Sequence, residues 1–357
     1  MNSKERVRTF LGKGIPDRVP MNFAGNGGII KRLKDHFKLP ENDYEGLLRA
    51  LDVDFRGLQP AYRGPKLHAD LPEKGVVADN WGIHRKWIEH SSGGYWDYCD
   101  FPLKDATEDK IASWPMPLPD DFDYSMIPGE CERLKEYGVY TGHAGTGDII
   151  NSTGMLMTME NALVGLISDD PAMNLLIKRR TEIQLEVVRR TLEAAKGRID
   201  LLHIGEDLGT QIAPMISLDL FRRKIRPVHQ RFIDLAKSFS IPVMIHSCGS
   251  SSWAFPDFIE MGISVVDTLQ PEAKSMSPEF LKNSFGGRLA FHGAVSTAGP
   301  LAYGTPEEVR ECCRSTLKTL MPGGGYAFAP THSIQDNTPL ENVLAMYEAG
   351  RTYGAYR

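Results

Sequence analysis

The chain has 357 residues, 41 Lys+Arg against 46 Asp+Glu, a formal net charge of -5, and 41 % hydrophobic residues. That length fits one large α/β barrel or two ordinary domains and buries a full core without a disulfide or metal. No basic block stands out and no apolar run reaches about 18 residues, so neither a nucleic-acid partner nor a membrane span is expected.

The opening "MNSKERVRTFLGKG" is too polar for a signal peptide and reads as a helix from Ser3 to Leu11, stopped by Gly12 and Gly14. "RVPMNFA" is a short strand running into "GNGG", followed by the helix "IIKRLKDHF". "DYEGLLRALDVDFRGLQP" gives a helix and then a strand from Asp52 to Leu58. Residues 64–119 differ in kind. They hold Trp81, Trp87, Trp96 and Trp114, four of the five tryptophans, and "VVADNWGIHRKWI" with "GGYWDYCDFPL" has the alternation of a hairpin. The expectation is an aromatic-rich hairpin insertion after the second strand, closed by the Pro-rich "WPMPLPDDFDYSMIP".

Beyond residue 125 strands and helices alternate strictly to the closing helix "TPLENVLAMYEAGRTYG". One predicted helix is the whole of "SLDLFRRKIRPVHQRFIDLAKSFS". Strands centred near residues 20, 55, 141, 202, 244, 266, 290 and 327 make eight, each followed by a helix. This pattern predicts an α/β fold, a single (β/α)8 TIM barrel over 1–357 with an insertion at about 64–119. A doubly wound open sheet is the alternative. It lacks a G-x-G-x-x-G after the first strand.

A barrel of this kind carries its site at the C-terminal strand ends. Those ends hold Glu206 and Asp207, then His246-Ser247-Cys248-Gly249, Asp267 with Gln270, His292, and Thr331-His332; His143 ends the third strand. His246 and Cys248 are two apart, so on an extended strand they share a face. Imidazole and thiolate are zinc ligands, and a catalytic zinc takes three protein ligands and keeps one position open. The bland alternative is a core histidine beside a small buried cysteine. Cys99, Cys131, Cys312 and Cys313 follow no disulfide spacing, so a reduced, cytoplasmic protein is expected.

"IPVMIHSCG", "SVVDTLQPE", "RLAFHGAVST" and "GGYAFAPTHSIQDNTPLENVLAMYEA" resemble the uroporphyrinogen decarboxylase superfamily, as does the opening "RVRTFLGKGIPDRVPM". The resemblance spans nearly the whole chain and implies a (β/α)8 barrel. One branch of the superfamily decarboxylates uroporphyrinogen without a cofactor. The other comprises zinc-dependent methyltransferases that move a methyl group between a corrinoid protein and a small acceptor or donor. The decarboxylases carry arginines after the first strand, where this chain reads Met21-Asn22-Phe23-Ala24-Gly25-Asn26. A porphyrinogen with many carboxylates needs such cations.

The resemblance to the methyltransferase branch implies zinc on His246 and Cys248. His332 stands where that branch has its second cysteine. The decarboxylases also carry a histidine there, for substrate. The expected metal set is therefore His246, Cys248 and His332, with Glu206 or Asp207 as proton acceptor or displaceable fourth ligand. Asp267, Gln270, His292, Asn22 and Asn26 are expected to orient substrate or support a ligand. The implied cofactors are zinc and a methylcobamide carried by a partner corrinoid protein. The alternatives are a metal-free decarboxylase and a non-catalytic ligand-binding barrel.

Overall fold

A computed structural model describes residues 1–356 of the chain. Its centre is a curled sheet of seven parallel strands: β1 (Phe55–Gly57), β7 (Gly138–Gly142), β8 (Leu201–Gly205), β9 (Val243–Ser247), β10 (Val265–Thr268), β11 (Ala290–Val295) and β12 (Tyr326–Pro330). The spatial order follows the chain order, consistent with a TIM-like barrel. The strand expected near residue 20 is an extended segment joined to both edges of this sheet. The Asn22 N–H donates to the Phe328 carbonyl at 2.9 Å, and the Asp54 N–H donates to the Met21 carbonyl at 2.8 Å. Pro20 has no N–H to donate, which keeps the segment short of a regular strand.

Side-chain alternation sorts each strand into helix-facing and interior positions. Phe55, Leu201, Met244, Val265, Ala290 and Ala327 form an apolar interior layer. The helix Ser3–Leu11 closes its lower end with Val7 and Phe10. Two residues further along the strands the interior turns polar, with His203, His246, Asp267 and His292 in place of the aliphatic layer. Below the plug, the fully buried Asp54 accepts from Arg6, Arg18 and Ser3, each bond at 2.7 Å, so its charge is paired rather than stranded.

The aromatic segment forms the three-stranded antiparallel sheet β3 (Val76–Ala78), β4 (His84–His90) and β5 (Gly93–Cys99). Trp87 pairs with Trp96 across β4 and β5, and both are about half exposed. Two smaller strands, β2 (Ala61–Tyr62) and β6 (Phe122–Asp123), join the base of this segment.

The single helix expected over 217–240 runs unbroken from Leu218 to Ser238 but carries a π-helical turn. A turn at Leu218–Leu220 leads into a π-helical turn at Phe221–Ile225, and an α-helix runs over Arg226–Ser238. Pro227 has no N–H to give a carbonyl one turn back, and the Arg226 N–H reaches the Phe221 carbonyl instead. A short helix at Ile150–Met157 was not expected, because "INSTG" is poor in helix formers. Among the described residues, no helix is long and apolar enough to cross a membrane.

Candidate metal and substrate site

The polar interior layer lines a cavity of about 490 Å³, together with Asn22, Tyr140, His143 and His332. Its hub is Asp267. One oxygen of Asp267 is 2.9 Å from His246 Nδ1, and the other is 2.5 Å from His292 Nδ1. These contacts follow from register, since Asp267 lies opposite His246 on β9 and His292 on β11. Asn22 Nδ2 donates to His292 Nε2 at 3.0 Å, which leaves the ring hydrogen on Nδ1, facing Asp267. Although Asp267 is buried, the three surrounding histidines hold its carboxyl well below the usual carboxylate range.

The backbone is strained at the next residue. Thr268 has φ 88° and Leu269 φ 51°, conformations that β-branched and bulky residues rarely adopt. Such strain costs on the order of 1–3 kcal/mol and gathers at functional sites. It places Thr268 Oγ1 2.7 Å from His246 Nδ1.

With Nδ1 committed, His246 presents Nε2. Cys248 Sγ is 3.3 Å from that nitrogen and Asp207 Oδ1 is 3.7 Å away. The donor atoms of Asp207, His246 and Cys248 all lie within 4.8 Å of one another. Bonds of about 2.0–2.3 Å to a tetrahedral zinc place its ligand atoms roughly 3.3–3.8 Å apart. The set therefore fits zinc, and a carboxylate on the second ring nitrogen is the usual support of a ligand histidine. His203, His246 and Asp267 form a second compact group, but it lacks a thiol and draws on atoms already bound to each other. Burial works against charge on His246, yet Asp267 and Cys248 raise its pKa well above the ordinary value. Burial also pushes the Cys248 thiol up, opposed by His246.

The loops that supply Asp207 and Cys248 are pressed together. Gly249 has φ 70°, and a Cβ there would collide with the Gly209 carbonyl oxygen. The Ser250 N–H donates to Thr210 O at 2.8 Å, and the Cys248 N–H donates to Asp207 Oδ1 at 2.8 Å. Asn151 Nδ2 holds the other Asp207 oxygen at 2.8 Å.

The other expected residues divide. His332 lines the cavity, with its ring centre 6.4 Å from that of His246. It is not in the compact donor set. Glu206 faces away from its neighbour Asp207. It accepts from the N–H groups of Ile149 and Ile150, each at 2.9 Å, and so caps the helix Ile150–Met157. Burial raises its pKa to about 8, and Asp148 beside it is raised by burial and by Glu206. Gln270 accepts from the Gly249 N–H at 2.6 Å and braces the Cys248 loop. Asn26 donates to Gln335 at 2.9 Å rather than lining the cavity.

Two residues escaped the sequence reading. His203 lines the cavity 3.6 Å from Asp267, and Tyr140 stands beside it. The signal for His203 is its position on β8, two residues beyond the apolar-layer Leu201, as His246 is beyond Met244.

Residues 149–353, more than half of the chain, match the model of the uroporphyrinogen decarboxylase (URO-D) family, and the chain belongs to that family. It is similar to a methylated-thiol–coenzyme M methyltransferase of Methanosarcina mazei, 23 % identical over 265 residues. That match covers 71 % of this chain and 66 % of the relative, just under two thirds of the relative's own length. A solved structure of a methyltransferase from Methanosarcina mazei matches 99 % of this chain and 100 % of its own, with TM-score 0.62 and 19 % identity. That likeness shows the fold.

Proposed function

We propose that this single-domain protein is a zinc-dependent methyltransferase, moving a methyl group between a corrinoid protein and a small acceptor or donor. The observation that carries the reading is the Asp207, His246 and Cys248 donor set, with Asp267 backing the histidine. The methyltransferase named among its relatives supports the same class. Asp207, His246 and Cys248 would hold the metal, and His332, lining the same cavity, would meet the substrate. Bound there, zinc would act as a Lewis acid and favour the thiolate form of a sulfur acceptor.

The chain's own residues do the rest. Asp267 fixes the His246 ring, so Nε2 faces Cys248 and Asp207. Asn22 and His292 form a wall that holds substrate beside His246. The methylcobamide belongs to the partner, for the chain carries no D-x-H-x-x-G segment to bind one.

Metal content by elemental mass spectrometry tests the reading, followed by methyl transfer from a methylated corrinoid protein. About one zinc per chain and transfer that stops on its removal are expected. A protein that takes up no zinc, or that transfers methyl groups equally well without it, would contradict the reading.

A further inference from the structure

A second cavity, of about 470 Å³, adjoins the first and shares Gln59, Gly142 and His143 with it. Its wall combines apolar residues, including Trp81, Ile83, Met155 and Val187, with the charged Asp79, Arg85, Asp148 and Arg180. Arg85 is paired with Asp79, whereas Arg180 forms no ion pair among the described residues. Arg180, on the long helix Pro171–Ala195, is 6 % exposed, and its guanidinium lies 4.4 Å from the centre of the Trp81 ring. Among the described residues, its Nη1 has no hydrogen-bond partner.

The acids around Arg180 are committed elsewhere. Asp79 binds Arg85 at 2.7 Å and the N–H groups of Trp81 and Ile83. Asp148 accepts from the N–H groups of Asn151 and Ser152. Both act on Arg180 only as charges at a distance, and burial lowers its pKa to about 10. It is therefore still charged at neutral pH. A buried guanidinium with no hydrogen-bonded acid costs stability, and the anionic group of a ligand would complete it. The stacked Trp81 fixes the plane of the fork and leaves its edge for a planar or tetrahedral anion.

We infer that this second cavity binds the anionic end of the substrate, a carboxylate, sulfonate or phosphate on a short apolar body, and that Arg180 recognises the anion. The inference rests on the proposed reading, for it makes that molecule the small methyl donor or acceptor, reaching past Gly142 and His143 toward His246. Gly142 has φ 81°, and a Cβ there would collide with the His203 carbonyl oxygen on the adjacent strand, so the packing of β7 on β8 requires glycine.

Calorimetric titration of the purified full-length protein tests this without turnover. The probes are 3-(methylthio)propanoate and its neutral amide, benzoate and benzamide, with methanesulfonate and inorganic phosphate to sort the anion. At least a tenfold preference for an acid over its amide is expected. Arg180→Gln should abolish that preference and Arg180→Lys should keep part of it. Arg180→Gln should also raise the melting temperature of the ligand-free protein, whereas a merely structural arginine would lower it on removal. No binding of any of the anions at millimolar concentration, or an undiminished preference in Arg180→Gln, would overturn the inference. Anion binding without methyl transfer would keep this site and remove the methyltransferase reading. Transfer without anion preference would do the reverse.

Discussion

Cys248 Sγ lies 3.3 Å from Nε2 of His246, on the ring nitrogen opposite the one that faces Asp267. A thiol and an imidazole so placed share either a proton or a metal. Cys248→Ser and His246→Ala should each bring the zinc content close to zero in protein purified without chelator. His332→Ala should leave most of it, because His332 stands outside the compact set. Full occupancy in Cys248→Ser would exclude this thiol as a ligand.

Asp267 acts on any metal only through His246. Asp267→Asn should lower zinc affinity by roughly 10- to 100-fold, the usual cost of losing such a support. Competition against a fluorescent zinc chelator measures it. Affinity unchanged in the variant would mean that the ring is held by Thr268 instead.

Glu206 predicts the opposite pattern. Glu206→Ala should reduce stability by about 1–3 kcal/mol, since two buried N–H groups lose their acceptor. It should leave the zinc content intact. Urea denaturation with metal analysis on the same samples separates this from a ligand role, in which metal would be lost first.

His229 is fully buried, 3.5 Å from Glu206 and near Asp148. Burial lowers its pKa to about 4. Unfolded, it takes up a proton near pH 6.5, while the folded form resists down to about 4. The stability this neutral ring contributes is thus complete above about pH 6.5 and is lost as the pH falls toward 4, by up to about 3 kcal/mol. His229→Gln should flatten the stability profile across that window. An unchanged slope would mean that other groups cause the acid loss.

Much of this was legible from the residues. The i,i+2 spacing of His246 and Cys248 is enough to suggest that both face one side where β9 ends, and strict alternation implies the parallel sheet. The hairpin strands appeared in the alternating aromatics of β4 and β5. The hub role of Asp267 was not legible, because it depends on which residues of β9 and β11 stand opposite it. Nor could spacing separate Glu206 from Asp207. Adjacent strand-end residues point to opposite sides, and which of them faces inward depends on the loop beyond. His203 was hidden by its apolar neighbours until the strands were aligned. The π-helical turn at Phe221–Ile225 was written in Pro227, but a proline near a helix start reads as favourable until the start itself is known.

The contact of Gly249 against Gly209 has a bearing on how such a centre changes over time. The spacing between the donor positions is set by main chain meeting main chain and by the Cys248 N–H donated to Asp207 Oδ1. The amino acid at 248 can therefore be exchanged like a pin in a fixed socket, whereas a change at 207 also removes part of the frame. A mutation to either glycine is the reverse case, disturbing both donor positions at once.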